Sequence, residues 1–334
     1  MKQHGKTYIF LVLGIIFLFV LDLATGSVEL DFSTIFNSMF SPKQPSTTQS
    51  ILFWEFRIPR VITASFVGMA LGVGGLLMQT FFRNPIAGPY VLGIGSGSSL
   101  GVSLFIMGSY FIPSIEQSSL GMVSFGFLGA LGILVLIGIF SFRFKSNVSL
   151  LIIGLMLSYF TGSIVSFLQY LSDPDLVKQY AVWGMGAFTE VHTSELWILI
   201  SAIGLGLMLA VSQIPFLNAF YLSDFEVETL GFSIKKNRWI VFASVALLVA
   251  TSTAFCGPIA FLGMAIPHFA RLLFQQSNHK YLILQSILLG WFCALGFDII
   301  SQNPWSNQMI PLNTIASFLG APFVVFLIWK RKKI

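Results

Sequence analysis

From Val61 to Phe82 the chain runs without one charged side chain, and apolar runs of similar length recur from end to end. A helix needs about 20 apolar residues to cross a bilayer core. A soluble fold could not cover so many such runs. Only 9% of the 334 residues are charged, against about 25% in an average soluble chain. Lipid is therefore the expected solvent for most of this chain. The candidate crossings are Tyr8–Ala24, Val61–Phe82, Tyr90–Phe111, Leu120–Phe142, Val148–Leu171, Leu196–Gln213, Trp239–Phe255, Ile259–Phe274, Leu282–Ile300 and Ile315–Trp329. They predict an all-α integral membrane protein of about ten transmembrane helices, read as one domain over residues 1–334. The 30 glycines suit a packed bundle, because small residues let membrane helices approach closely.

Two features of these runs need separate treatment. The stretch Ile240–Phe274 is too long for one span. Gly257-Pro258 divides it, and Pro267 is expected to interrupt the second piece. Such breaks survive in a membrane only where protein or water satisfies the freed backbone groups. At the N-terminus, Lys2, Lys6 and the run Tyr8–Leu21 imitate a signal peptide. Leu21-Asp22-Leu23 is a poor cleavage site, so this run is read as the first span.

Basic residues gather in cytoplasmic loops. With the N-terminus inside, the outer segments hold only Lys43, Arg57, Arg60 and Lys178, leaving 14 of the 18 Lys and Arg inside. Both termini are then cytoplasmic. The net charge of +5 has this membrane origin and implies no nucleic acid. The longest inside loop, Ile214–Arg238, contains Asp224, Glu226 and Glu228. No segment has the size and polarity of a soluble enzyme domain.

Arg57-Ile58-Pro59-Arg60 stands at the outer mouth of the second span, where the charge rule disfavours arginine. An acidic protein partner and headgroup anchoring are the two readings. Arg83-Asn84-Pro85-Ile86-Ala87-Gly88-Pro89 is a rigid inside turn. The glycine-rich run Leu92–Gly101 is no phosphate loop, since no Gly-Lys-Ser/Thr follows, and is read as a close-packing surface. Cys256 and Cys293 lie in apolar runs and are expected to be buried, inert thiols. The four histidines show no metal-ligand spacing. Asp298, near the outer end of the ninth span, is a functional candidate as an intramembrane carboxylate, and a weaker one because its place near the outer surface lets it be solvated.

Taken in order, these motifs resemble the iron-chelate and cobalamin permeases of type II ABC importers. The matching segments are Arg57–Arg60, Val67–Leu71 through Gln79, Arg83–Ala87, Leu92–Gly97, Trp183-Gly184-Met185-Gly186, Asp224–Gly231, Phe261–Arg271 and Leu319–Pro322. The resemblance implies a ten-helix subunit that pairs with a second permease subunit, identical or closely similar. Two cytoplasmic ATPase subunits would bind below, holding ATP and magnesium, and an extracytoplasmic substrate-binding protein above. It makes Arg57 and Arg60 the residues that dock the binding protein. It makes Leu222, Asp224, Glu226, Glu228, Leu230 and Gly231 part of the ATPase coupling segment, within about residues 214–238. It places the cytoplasmic gate at Asn84, Ile86, Asn147 and Val148. The chain departs from the pattern at Gln302, where the family has a third docking arginine, at Met309 for a glutamate, and at Asn313 for a glycine.

The reading is a transport subunit of the cell inner membrane with no catalytic residue, no metal and no cofactor of its own. Iron–siderophore is the first substrate class, with haem and cobalamin as rivals. An ion-coupled secondary transporter is the alternative. That class buries charge near the midplane, where these spans have almost none. An intramembrane enzyme lacks its motifs.

Overall fold

The computed structural model describes residues 5–26, 48–85, 87–90, 92–108, 118–144, 147–222, 224–302 and 309–331. Its helices are α1 (Gly5–Ala24), α2 (Thr48–Phe81), α3 (Ile94–Gly108), α4 (Ser119–Arg143), α5 (Asn147–Leu171), α6 (Pro174–Met185), α7 (Leu196–Ser212), α8 (Ile214–Ala219), α9 (Asp224–Thr229), α10 (Ile234–Cys256), α11 (Leu262–Phe274), α12 (His279–Ser301) and α13 (Leu312–Arg331). Among the described residues there is no strand. Among the described residues six helices (α1, α2, α4, α5, α10 and α12) are long and apolar enough to cross a membrane. The apolar helices α3, α7 and α11 are shorter.

Helix α2 is the axis of the bundle. The most apolar window within it is 83% buried, against 17% for that of α1, so α2 meets protein on all sides while α1 lies at the periphery. Glycines let its neighbours in. A Cβ on Gly68 would lie 2.3 Å from the Gly290 carbonyl of α12, and one on Gly75 would lie 1.5 Å from the Gly263 carbonyl of α11. Gly263 is four residues before Pro267, which has no N–H to give it. The freed carbonyl rests against bare Gly75, a contact of the Cα–H···O kind found between close-packed helices. This corrects the expected interruption: α11 runs unbroken through Pro267.

The glycine-rich run behaves as a packing surface. Cβ atoms on Gly97 and Gly101 would meet the carbonyls of Gly129 and Phe125 on α4 at 2.5 and 1.9 Å. The break at Gly257-Pro258 is real, and neighbours satisfy its backbone. Ala187 N–H donates to the Cys256 carbonyl at 3.0 Å. Ile259 N–H donates to the Tyr90 hydroxyl, and Ala260 N–H to Asn313 Oδ1 at 3.1 Å. Gly257 adopts φ +71°, and a Cβ there would strike the Trp183 carbonyl at 2.2 Å. The Trp183–Gly186 motif thus packs directly on the break.

Candidate functional site

Two groups of candidate residues lie at opposite ends of α2. At its start, Leu52–Arg57 forms a π-helical turn that runs into Ile58, with Pro59 in the first turn of the following α-helix. This turn aims Arg57 and Arg60 inward. Each is only 5% exposed. Arg57 Nη1 donates to the carbonyls of Leu23 and Ala24 at 2.7 and 2.9 Å. Arg60 Nη2 bonds Asp22 Oδ1 at 2.9 Å and also donates to the Asp22 carbonyl at 2.7 Å. Arg60 Nε makes an ion contact with Asp298 Oδ2 at 2.9 Å. The Gln302 side-chain amide hydrogen-bonds Asp298.

One expectation is corrected here, for Asp298, while Arg57 and Arg60 are found turned inward, tying α1 and α12 to α2 through partners within the chain. Asp298 is not solvated: it is 1% exposed and ion-paired. Asp22, fully buried, is the member that sequence reasoning missed. Gln302, buried beside Asp298, adds no charge to this cluster. Met309 is exposed, while Asn313 caps the break before α11.

At the other end, α2 stops in a Schellman-type cap. Arg83 N–H donates to the Thr80 carbonyl and Asn84 N–H to the Gln79 carbonyl, each at 3.1 Å. The Gln79 side chain joins this end to α11, donating to the Met264 carbonyl at 2.9 Å and accepting from Arg271 at 2.6 Å. Three sequence motifs thereby meet in space. Asn84 is half-buried in the turn, and Ile86 lies outside the described residues. Asn147 is the first residue of α5, and Val148 beside it is exposed. Arg83 and Leu150 of α5 line one cavity of about 430 Å³, together with Phe220, Glu228, Lys235 and Arg238. The turn and the start of α5 therefore border the same space.

Val227 is buried, whereas Leu222, Phe225, Glu226, Glu228 and Leu230 are exposed. Asp224 begins α9. Gly231, at φ +85°, ends it and donates its N–H to the Glu228 carbonyl at 2.9 Å. Phe225 and Leu230, 80% and 60% exposed, are the most exposed apolar side chains of the segment Leu222–Gly231, ahead of Leu222 at 41%. Sequence reasoning missed Phe225. Among the described residues no cluster of His, Cys, Asp or Glu suits a metal ion.

A family model described as the FecCD transport family matches residues 14–330. The chain belongs to the FecCD family. Such chains are transmembrane permeases of ABC importers, and the helices above fit a multi-pass protein of that kind. The FecCD chain is 30% identical to the hemin transport system permease protein of Yersinia pestis, covering 99% of both chains. It is 30% identical to the molybdate import system permease protein of Haemophilus influenzae, covering 99% of this chain and 97% of that one. A solved chain of a metal-chelate type ABC transporter in an inward-facing conformation superposes with a TM-score of 0.83 at 30% identity. That match covers 97% of this chain and 99% of the other.

Proposed function

We propose that this chain pairs with a second permease subunit, a copy of itself or a close paralogue, to enclose the path of an inner-membrane iron-chelate importer. Ferric siderophores are the substrate class, with haem and cobalamin as the alternatives. The subunit crosses the membrane ten times and keeps both termini in the cytoplasm. Two ATPase subunits, which hold the ATP and magnesium, seat on α9. An extracytoplasmic binding protein delivers the ligand on the opposite face, around the buried Arg57 and Arg60 rather than through them. Asn84, Ile86, Asn147 and Val148 form the cytoplasmic gate.

The observation that carries this reading is the exposure of Phe225, on α9, and of Leu230, just past its end, in a segment where Val227 is buried among the described side chains. Exposed apolar side chains on a short helix suit a protein contact, and a short helix laid into a partner's groove is an ordinary recognition mode. The substrate class draws support from two kinds of observation. An iron(3+)-hydroxamate import permease of Bacillus subtilis is 30% identical over 95% of this chain. On α5, Tyr159, Ser163, Ser166 and Tyr170 recur at helical spacing on one exposed face. Four hydroxyl-bearing side chains without charge suit a chelate rich in amide and hydroxyl groups better than a small oxyanion. An ion-coupled carrier is disfavoured, because the buried acids Asp22 and Asp298 lie near helix ends and are already paired.

The test is uptake in a strain lacking this chain, with a ferric hydroxamate, haemin and cobalamin each supplied. The expected result is loss of ferric hydroxamate uptake, restored by the wild-type chain. Unchanged uptake of all three ligands would overturn the assignment.

A further inference from the structure

Arg83 occupies a position that the backbone reserves for another residue. As the residue after the helix cap it has φ +46°, in the left-handed region where glycine fits without strain and a side chain does not. Glycine would serve the turn better. The side chain of Arg83 reaches across to the loop between α8 and α9. Its Nη2 donates to the carbonyls of Phe220 and Leu222 at 2.6 and 3.0 Å. Its guanidinium lies 5.1 Å from the centre of the Phe220 ring. That ring is also stacked on Phe81 of α2, at 5.8 Å and 12°.

Beside this contact runs a second link. His279 Nε2 meets Thr80 Oγ1, and its Nδ1 meets Asn218 Oδ1, both at 2.9 Å. This link ties α8 to α2 and α12 from within, since His279 is fully buried. The arginine contact differs in being exposed, and its carbonyl acceptors immediately precede α9. It spans from the first residue of the Arg83–Pro85 turn to the root of the coupling segment.

We infer that Arg83 is the positioning residue that transmits movement of α9 to the cytoplasmic gate, by clamping the gate turn to residues 220–222. The inference rests on the coupling role proposed above. Displacement of α9 pulls two carbonyls held by one planar guanidinium, and the guanidinium pulls the turn that contains Asn84. The Thr80–His279–Asn218 link keeps α8 in place meanwhile, so the turn moves relative to a fixed base.

The test uses the permease–ATPase complex in nanodiscs with Cys256 and Cys293 replaced by Ala and Val148→Cys as the reporter. The readout is the rate of thiol modification by a membrane-impermeant maleimide, without nucleotide and after ATP–vanadate trapping. Arg83→Gly relieves the backbone and deletes the clamp. Arg83→Lys keeps a donor within reach of both carbonyls. With Arg83 present, trapping should change the rate about tenfold, the scale set by losing one charge-assisted bond. In Arg83→Gly the change should fall below about twofold on that scale, with ATP turnover retained. Arg83→Lys should restore part of the response. A full response in Arg83→Gly overturns the clamp. So does a parallel loss of ATP turnover, which would make Arg83 an assembly residue. A parent complex that neither binds ATPase nor responds to trapping overturns the coupling role of α9 itself, a distinct outcome.

Discussion

Replacing Arg60 with methionine removes one cation from between two carboxylates. Asp22 and Asp298 are 0% and 1% exposed, and each lies 2.9 Å from the Arg60 guanidinium. Neither acid can turn to water. Removing one partner of a buried ion pair costs about 3–5 kcal/mol, chiefly because the remaining charge stays desolvated. Here two carboxylates are stranded together, so the upper end of that range applies. For a chain of this size the loss corresponds to a fall of roughly 5–10 °C in Tm. Methionine nearly matches arginine in length, so packing loss contributes little. The measurement is thermal unfolding of the purified permease in detergent at fixed scan rate. The control is the triple variant Arg60→Met, Asp22→Asn, Asp298→Asn. Removing all three charges together should recover most of the loss, since a buried ion cluster is often replaceable by neutral groups. The same reasoning makes Arg57→Glu with Arg60→Glu a folding defect rather than a clean docking defect. An Arg60→Met protein that melts with wild type, or a triple variant no better than the single, would refute the strut reading.

Further outcomes follow from the packing. Gly75→Ala drives a Cβ to within 1.5 Å of the Gly263 carbonyl and should abolish accumulation of folded protein, read by size-exclusion chromatography in detergent. Gly132→Ala, with nothing within 4 Å, should stay within about 0.5 kcal/mol of wild type in the same preparation. Asn313→Gly strips the acceptor from Ala260 N–H at the broken helix. It should cost about 1–3 kcal/mol, seen as a lower Tm, while Asn313→Asp, which keeps the oxygen, should cost less.

The spans were legible because uninterrupted apolarity over a membrane-crossing length has few other meanings. Their ends were less so. Helix α2 starts at Thr48 rather than Val61, because Glu55, Arg57 and Arg60 read as surface charge when taken one residue at a time. The positive charge of Arg60 is visible in sequence. Its partner Asp22, 38 positions away, is not. The fastening of α1 and α12 by Arg57 and Arg60 therefore needed the fold. The break at Gly257-Pro258 was legible, since glycine and proline act locally. The groups that satisfy it, Tyr90 and Asn313, come from distant segments and needed the fold. Pro267 misled for a related reason. A proline breaks a helix only if the freed carbonyl finds nothing, and Gly75 supplies the contact. Sequence also marked Leu222–Gly231 as a polar segment with acids beside a basic cluster, and its described side chains other than Val227 are exposed. It did not single out Phe225, because one phenylalanine among 35 has no distinguishing pattern until its neighbours are known.

The central claim is that α9 engages an ATPase whose hydrolysis drives import. It is tested most directly by reconstituting the permease with its ATPase and binding protein in proteoliposomes. ATP turnover and uptake of a ferric hydroxamate would be measured together for wild type, Leu230→Asp and Gly231→Pro. Leu230 is an exposed apolar contact, and Gly231 has a φ of +85° that proline cannot adopt. The account predicts that wild type couples turnover to uptake, and that each substitution either loses the ATPase or hydrolyses ATP without import. Wild-type turnover and uptake in both variants would contradict it.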